Sequence, residues 1–374
     1  MARNAYGGRR RDFIKTVGAG SIVGLAGCLG EADDGEREFV DVTMSAWGGP
    51  YRDIMFEEFA QPFAEEHNIE IQILEHSNSF DVLSNVRSGQ EIHGGFFDDF
   101  SSYEAYQEGL LAPIDEDIVT ADIDAFFDDV LLDRPGIVGR DEGVRYNDVN
   151  TGLFVGSAFY NPDEVDEITN WDDLIANEDL RNDFALLGNV PFYIPYLIGF
   201  SMGINLNDLA DVSESEREET MDQVWEKMED VFDRAVDFTN DGNTMNLFSD
   251  GSINAGQLPA ADARNLSEDT GIPTEAVIPE EGTWANVNPI VIFDETTDAD
   301  QEYTMQHFIQ STFDRERRAA YAERLPYTQG IDWGDMENPL ADNPEQGSLD
   351  LINPPDPRFV NEFQTDWSLR QEEL

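Results

Sequence analysis

The sequence predicts an α/β fold divided into two domains, and three observations favour it. The chain has 374 residues, which is too long for one small domain and suits two of ordinary size. Hydrophobic residues make up 40% and aromatic residues 11%, enough to build real cores in spite of a net charge of −57. Short β-like runs alternate with amphipathic segments along the chain, as in α/β units built around largely parallel sheets.

In the first third of the chain, β-like runs predict strands, and apolar residues three or four positions apart predict helices. The strands are expected over 39–46 and 69–74, and the helices over 54–63 and 82–87. Pro50 favours the start of the first helix, because proline fits the first helical turn. Phe96-Phe97 before Asp98 is typical of a strand that runs into a capped helix.

The rest of the chain continues this alternation. Residues 152–160 form a β-like run, and Ser213-x-x-Glu216 is a capping box that starts a helix. Apolar residues then recur at helical spacing, which predicts one helix over 221–238. A strand over 289–293 and a long helix over 300–323 follow. In sheets built this way, ligands bind beyond the carboxyl ends of strands, where loops enter helices.

The N-terminus is typical of an export signal. Arg9-Arg10-Arg11-Asp12-Phe13-Ile14-Lys15 precedes a short apolar run, an order that resembles the twin-arginine signal for folded proteins. Leu25-Ala26-Gly27-Cys28 resembles a lipobox, in which the cysteine becomes the lipid-bearing first residue. We therefore predict a signal peptide over 1–27, lipid attachment at Cys28 and an acidic tether over 28–38. The mature protein is expected at the extracellular face of the cell membrane, held there by its lipid.

The charge excludes several partners. Asp and Glu number 79 against 22 Lys and Arg, so phosphate backbones would be repelled and nucleic-acid binding is not expected. The acids are spread along the chain and lysine is nearly absent, which favours adaptation to very high salt in an extreme halophile. A field that steers a cationic ligand is the alternative. Cys28 is the one cysteine, so the chain cannot form an internal disulfide. Because Cys28 is expected to carry the lipid, no cysteine is left to act as a catalytic thiol.

Several segments, taken in order, resemble one family. They are Ala46–Tyr51, Gln61–Glu66, Gly109–Asp115, Tyr160-Asn161 with Asn170–Leu174, Ile198–Asn205, Ile278–Asn286 and His307–Ile309. Their order and spacing across residues 40–330 resemble the solute-binding proteins of ABC importers, in the branch of the spermidine/putrescine-binding proteins. The resemblance implies a two-lobe periplasmic-binding-protein-like (type II) fold, with a hinge between lobes that close on a small solute. The implied partner is an ABC permease in the membrane, and we expect a monomer without a cofactor.

The resemblance also implies where the lobes divide. Chain crossings are expected near 153–157 and near 255–258, with a third return near 317–325. Lobe 1 would then comprise 39–153 and 256–318, and lobe 2 would comprise 154–255 and 319–374.

By the same resemblance, the expected solute is a polyamine-like cation, for which aromatic rings line the methylene chain and carboxylates pair with the amines. The residues that match or neighbour those positions are Trp47, Tyr51, Asp98, Ser102, Tyr103, Tyr160, Tyr193, Asp262, Trp284 and Asn286. Two positions depart from the family pattern. Pro259 stands where a Trp is expected, and Asn286 replaces the acid of a Trp-x-Asp motif.

Other solutes stay open on the sequence alone. Tyr193 and Tyr196 would suit a ferric ion, because phenolates are hard oxygen ligands. Arg52 and Arg264 would suit an organic anion, and thiamine is a further candidate.

One segment of the chain is also compatible with an enzyme, a secreted serine esterase. Gly199-Phe200-Ser201-Met202-Gly203, with His307 downstream, matches the nucleophile elbow of a secreted serine esterase that would use Ser201. A turn follows this segment where the elbow needs a helix, so the sequence favours a receptor over an enzyme.

Overall fold

The computed structural model describes residues 37–360 except 77, 121–135, 140–142, 148–149, 191, 326, 328–334, 338, 341–342 and 344–347. The predicted signal peptide, the lipid-attachment residue Cys28 and most of the tether lie outside this part of the chain. No helix in the described part is both long enough and apolar enough to cross a lipid bilayer.

The elements alternate between strand and helix as expected. The described strands are β1 Val42–Trp47, β2 Ile71–His76, β3 Gly94–Phe96, β4 Leu111–Ala112, β5 Asn150–Tyr160, β6 Phe184–Leu187, β7 Asp237–Thr239, β8 Ala255–Pro259, β9 Glu275–Val277, β10 Thr283–Phe293 and β11 Ile352–Asn353. The described α-helices are α1 Pro50–Met55, α2 Gln61–His67, α3 Ser79–Arg87, α4 Asp99–Glu108, α5 Trp171–Ile175, α6 Tyr193–Ser201, α7 Glu214–Phe232, α8 Asp241–Ser249, α9 Ala260–Thr270, α10 Ala299–Ser311 and α11 Arg315–Arg324. A π-helix, Phe56–Ala60, joins α1 to α2, and short 3-10 helices cover Glu178–Leu180, Leu206–Asp211 and Leu349–Leu351.

The strands form one continuous sheet with the order β2-β1-β3-β10-β5-β8-β6-β7. At one end β2, β1 and β3 run parallel, and the last residues of β10 pair antiparallel with β3. At the other end β8, β6 and β7 run parallel, and β8 pairs antiparallel with residues 156–160 of β5. We call the first parallel group with its helices lobe 1 and the second lobe 2.

The long strands β5 and β10 carry the chain between the lobes. Residues 153–155 of β5 pair with residues 285–287 of β10, in the same region as the first predicted crossing. The second crossing was expected near 255–258, but these residues belong to β8, which pairs within lobe 2. The following α9 and β9 also pack on β5. The chain therefore returns to lobe 1 along β10 instead.

The return expected near 317–325 also differs from the structure. Helix α11 stays in lobe 1, where the Tyr321 ring lies 5.6 Å from that of Phe59 and the Arg318 guanidinium lies 5.5 Å from the same ring. The described tail reaches lobe 2 only at 352–360, where β11 pairs with the start of β10 and Phe359 enters the lobe 2 core.

Two predicted helices are broken in the structure. Helix α7 ends at Phe232, because Val236 donates its N–H to the Phe184 carbonyl and the next residues pair as β7 beside β6. The helix expected over 300–323 is interrupted before α11, where Asp314 accepts a hydrogen bond from the Arg317 N–H and caps the new helix. Backbone pairing and capping thus override an apolar spacing that would also fit one longer helix.

Each lobe has its own apolar core. The lobe 2 core includes Trp171 and Trp225, and Trp225 is 4% exposed, as expected for a residue on the apolar side of its helix. The lobe 1 core includes Phe59 and Met305. A further cluster, around Leu153, lies at the crossing strands. Separate cores allow each lobe to keep its shape if the crossing strands bend.

Candidate functional site

The carboxyl ends of the parallel strands in both lobes point toward the crossing strands. In lobe 1, Phe96 at the end of β3 pairs with Ile290, close to the crossing part of β10. In lobe 2, Pro259 at the end of β8 pairs with Gly156, close to the crossing part of β5. The N-termini of the helices that follow these strands therefore meet at one cleft. Phe100 of α4 and Phe192 before α6 touch across it, with ring centroids 4.6 Å apart.

The lobe 1 side of the cleft is formed by residues that follow β1, β2 and β3. The half-buried ring of Trp47 lies 4.8 Å from that of His76, whose Nε2 is 3.4 Å from Ser79 Oγ. Asp98 is buried and caps α4, accepting hydrogen bonds from the Ser101 N–H at 2.7 Å and the Ser101 hydroxyl at 2.8 Å. Burial raises the pKa of Asp98, and the hydrogen bonds from Ser101 and Ser79 oppose that rise. Burial lowers the pKa of His76 to about 4, so its imidazole is neutral at pH 7.

The lobe 2 side presents two carboxylates at helix N-termini. Asp241 is the first residue of α8, and Asp262 lies in the first turn of α9. Burial raises the pKa of both, and the negative charge of Asp241 adds to the rise at Asp262, which reaches about 7. The positive charge of Arg264 opposes that rise. Neither carboxylate forms an ion pair within the described part of the chain.

Trp284 and Asn286 of β10 lie at the crossing between the lobes. Trp284 is fully buried and stacks on Tyr193, the first residue of α6, with ring centroids 3.7 Å and planes 9° apart. The indole also covers Gly156 of β5 so closely that a Cβ there would lie 2.5 Å from the ring. Burial raises the pKa of the Tyr193 hydroxyl, and the neighbouring Asn286 side chain opposes that rise. The glycine is thus required for the stack between the crossing strands and α6.

The cleft is strongly negative where the lobes meet. Burial, and then the charges of Asp241 and Asp98, raise the pKa of Tyr193 well above its usual value. Burial, and then the charges of Asp262 and Asp241, do the same to the pKa of Tyr327. Acids from both lobes therefore act on Tyr193, and the two lobe 2 acids also act on Tyr327, an arrangement that suits a cation.

Six of the predicted residues lie at the strand ends, helix starts and crossing strand that border this cleft. They are Trp47, Asp98, Tyr193, Asp262, Trp284 and Asn286. Tyr51 lies next to them but is 6% exposed, and its ring centroid is 6.2 Å from those of Phe96 and Phe154. Its ring therefore packs in the lobe 1 core.

Three predicted residues are placed differently. Ser102 is fully buried, and its hydroxyl donates to the Asp99 carbonyl at 3.0 Å and accepts from the Asn147 amide at 2.9 Å. No hydrogen bond or ring contact joins Tyr103 to the cleft residues within the described part of the chain. Tyr160 donates to Glu275 Oε2 at 2.6 Å, at the end of β5 remote from the crossing. At about 3.4 Å per residue, Tyr160 lies about 17 Å beyond the crossing strands, outside the cleft.

Sequence reasoning missed Asp241, His76, Ser79 and Tyr327. Asp241 has a local signal, since Asn240 caps α8 directly after β7, the same pattern of strand end and capped helix that pointed to Asp98. That signal was hidden because 221–238 was expected to be one helix. Tyr327 follows a helix rather than a strand, and only the tertiary structure brings it near the acids.

Tyr196 and Arg52, two of the residues proposed for other solutes, are engaged elsewhere. The Tyr196 hydroxyl donates to Asn207 Oδ1 at 2.7 Å and is not paired with Tyr193. Arg52 forms ion pairs with Asp53 and with Glu75, the latter at 3.1 Å. Within the described residues, no group of three or more His, Cys, Asp and Glu side chains is placed to hold a metal ion.

The esterase pattern does not form a catalytic arrangement. Ser201 ends α6, and its hydroxyl donates to the Ile198 carbonyl at 2.8 Å, whereas a nucleophile elbow places the serine between a strand and the helix that follows it. His307 lies in α10 of lobe 1, with its ring 4.4 Å from that of Tyr303. The two residues belong to different lobes.

A cleft between two α/β lobes that are joined by crossing strands defines a solute-binding receptor of the periplasmic-binding-protein type II class. A family model described as bacterial extracellular solute-binding protein matches residues 58–344. The chain belongs to this family, whose members are transport receptors and not enzymes. No curated protein sequence matches the chain significantly.

Solved structures share the fold at low sequence identity. The spermidine/putrescine ABC transporter substrate-binding protein PotD from Streptococcus pneumoniae, in complex with calcium and HEPES, is 17% identical, with a TM-score of 0.67 over 90% of this chain and 99% of that chain. The Atu4243 GABA receptor is 15% identical, with a TM-score of 0.71 over 88% of this chain and 96% of that chain. The binding protein MotA from A. tumefaciens B6, in complex with glucopine, is 15% identical, with a TM-score of 0.65 over 86% and 95%. These similarities confirm the predicted two-lobe type II fold.

Proposed function

We propose that this chain is the solute receptor of an ABC importer and captures an amine-bearing, polyamine-like cation by closure of its two lobes. The observation that carries the proposal is the convergence of Asp241 and Asp262 with Asp98 across the cleft, around shared aromatic rings. None of the three acids forms an ion pair within the described part of the chain. The shared fold with PotD, a spermidine/putrescine ABC transporter substrate-binding protein, supports the proposal.

A bound ammonium group would offset the cost of bringing these acids together. Burial raises the pKa of Asp241, and burial together with the charge of Asp241 raises the pKa of Asp262, so each carboxylate is held in an unfavourable state when ionised. A cation between the lobes favours the ionised form, and each charge-assisted hydrogen bond contributes about 1.5–3 kcal/mol.

The test is a thermal-shift and calorimetric screen of the purified protein in molar KCl. Spermidine and putrescine at about a hundred times their dissociation constant are expected to stabilise the fold by about 2.7 kcal/mol, a shift of a few degrees. Thiamine, ferric iron, phosphonates, amino acids and sugars serve as the comparison set. Asp262→Asn is expected to lower amine affinity tenfold or more, and the exposed Asp222→Asn on α7 is the matched control. Binding of an anion, ferric iron or thiamine in place of amines would contradict the proposal.

The N-terminal pattern supports a place for this receptor at the extracellular face of the membrane. In the proposal, the chain is exported by the twin-arginine route, anchored through lipid on Cys28, and acts as a monomer that docks on its permease. Cys28→Ser is expected to move the mature protein from the membrane fraction to the medium of a halophilic host. Paired Arg10→Lys and Arg11→Lys substitutions are expected to retain the precursor inside the cell. Membrane retention of the Cys28→Ser protein would contradict the anchor.

The acidic composition supports a proposal that the protein works in molar salt. Screening by concentrated salt shortens the range of repulsion among 79 acidic residues to about 3 Å at 1 M. Unfolding temperature is therefore expected to fall steeply as KCl is removed. An unfolding temperature that is insensitive to KCl between molar and millimolar concentrations would contradict this.

A further inference from the structure

The cleft holds polar groups that an amine by itself does not satisfy. The indole N–H of Trp284 is fully buried and has no hydrogen-bond acceptor among the described residues, and the same is true of the Trp47 indole N–H on the lobe 1 side. Asn286 Oδ1 is likewise buried with no donor in the described part of the chain. A polar group that is kept from water without a partner destabilises the state that buries it. A solute that pairs with them would therefore stabilise the closed form.

Trp284 and Asn286 lie side by side on one face of β10. The residues that alternate with them, Ala285 and Val287, pack into the apolar cluster at the crossing strands. Two residues along a strand are separated by about 6.6 Å, so the indole and the amide are neighbours on this face. Asn286 Oδ1 has no donor among the described residues.

Resting on the proposed function, we propose that the solute is an acylated amine: an ammonium at the end held by Asp241 and Asp262, and a neutral carboxamide at the end held by Trp284 and Asn286. The carboxamide oxygen would accept from the Trp284 indole N–H, and the carboxamide N–H would donate to Asn286 Oδ1. A carboxamide fits this pair of side chains because it carries both an acceptor for the indole donor and a donor for the amide oxygen.

The two charged alternatives each leave one of these groups unsatisfied. A second ammonium carries donors only, so it would pair with Asn286 Oδ1 and leave the Trp284 N–H without an acceptor. A carboxylate would accept from Trp284 but would face Asn286 Oδ1 and the negative charges of Asp98 and Asp241.

The test compares three solutes of the same length: putrescine, 4-aminobutanamide and 4-aminobutanoate, titrated calorimetrically into the protein in molar KCl. The amide is expected to bind at least about tenfold more tightly than either of the others, because a site built to hydrogen-bond a group rejects analogues that lack it. If putrescine binds as tightly as the amide, the acylated-amine inference is wrong while the amine receptor stands. If 4-aminobutanoate binds most tightly, or if none of the three binds at millimolar concentration, both proposals are wrong.

Variants separate the two ends of the site. Asn286→Asp is expected to reverse the preference toward putrescine by tenfold or more, since a carboxylate pairs with a second ammonium. Trp284→Phe keeps a ring for stacking but removes the N–H, and is expected to reduce amide binding while changing putrescine binding less than threefold. Asn205→Asp is the matched control, because Asn205 caps a 3-10 helix beyond the far end of α6. Equal effects of Asn286→Asp and Asn205→Asp on the amide-to-putrescine ratio would overturn the inference.

Discussion

The two lobes use the same residue type at the same kind of position in different ways. Asp98 in lobe 1 and Asp241 and Asp262 in lobe 2 all lie in the first turn or cap of a helix that follows a parallel strand. Asp98 is satisfied by the fold, since Ser101 donates to it from both its backbone and its hydroxyl. Asp241 and Asp262 receive no hydrogen bond from another side chain in the described part of the chain.

This difference teaches that a position at a strand end does not by itself make a carboxylate a ligand-binding group. What counts is the hydrogen-bonding capacity that the fold leaves unused. The oxygens of a capping carboxylate already accept hydrogen bonds from backbone and hydroxyl donors. A carboxylate without such donors is stabilised more by a bound cation. The direct contacts to the amine are therefore expected from lobe 2, and lobe 1 contributes charge across the cleft.

The largest effect is expected when both lobe 2 acids are neutralised. The double variant Asp241→Asn/Asp262→Asn should lose more than about a thousandfold in amine affinity, because two charge-assisted hydrogen bonds of about 1.5–3 kcal/mol each are removed. Calorimetric titration with putrescine and 4-aminobutanamide measures this. Retention of affinity within tenfold would show that the amine is held from lobe 1, and the contrast between the lobes would be wrong.

Neutralising Asp262 alone is expected to stabilise the protein without solute. The pKa of this carboxyl rises from 3.8 unfolded to about 7 folded, so the folded state binds more protons and its stability falls as pH rises from about 4 to 7. Asp262→Asn removes this penalty and is expected to raise the free energy of unfolding at pH 8 by up to about 4 kcal/mol. The gain should shrink toward pH 4. Thermal unfolding at constant ionic strength tests this, and a loss of stability at pH 8 would contradict the assignment.

Amine binding is expected to release protons near neutral pH. A bound ammonium favours ionised Asp262. The pKa values of Asp241 and Asp98 are also raised, so ionisation of any of the three acids on binding releases a proton. Affinity should therefore be constant above pH 8 and fall by up to about tenfold per pH unit below 7. Calorimetry in two buffers of different ionisation enthalpy gives the proton count. In Asp262→Asn the slope should be smaller, and an unchanged slope would assign the proton to another group.

The smallest effects are expected at Asp98. Asp98→Ala removes a helix cap and should lower the free energy of unfolding by about 1–2 kcal/mol. Asp98→Asn keeps an acceptor for the Ser101 N–H and should change stability by less than about 0.5 kcal/mol. Amine affinity is expected to change less than fivefold in Asp98→Asn. A hundredfold loss there, with unchanged unfolding temperature, would place Asp98 in direct contact with the amine and remove the difference between the lobes.

The parts of the site that could be predicted are those with a local signal. Trp47 follows a short strand and precedes two glycines, and Asp98 stands between a strand and a capped helix, so each reveals its place by its neighbours in sequence. Asp241 has the same signal, but the apolar spacing through Phe238 also fits a helix and concealed the strand β7. Tyr160 was expected in the cleft but lies outside it. Tyr160 is the last of the eleven residues of β5, and without the pairing partners the sequence does not show which end of this strand lies at the cleft.

The sequence by itself determined the fold class, because alternating strand and helix patterns are set by local side-chain periodicity and by capping residues. It also determined the order of segments that resembles the solute-binding family. Only the tertiary structure decided which strands cross between the lobes, since β5 pairs with β8 across about a hundred residues of chain and with β10 across more. The same long-range pairing decided which carboxylates meet, how deeply they are buried and which are left without a donor. Those properties depend on desolvation and on the charges of neighbours distant in sequence, which no local pattern encodes.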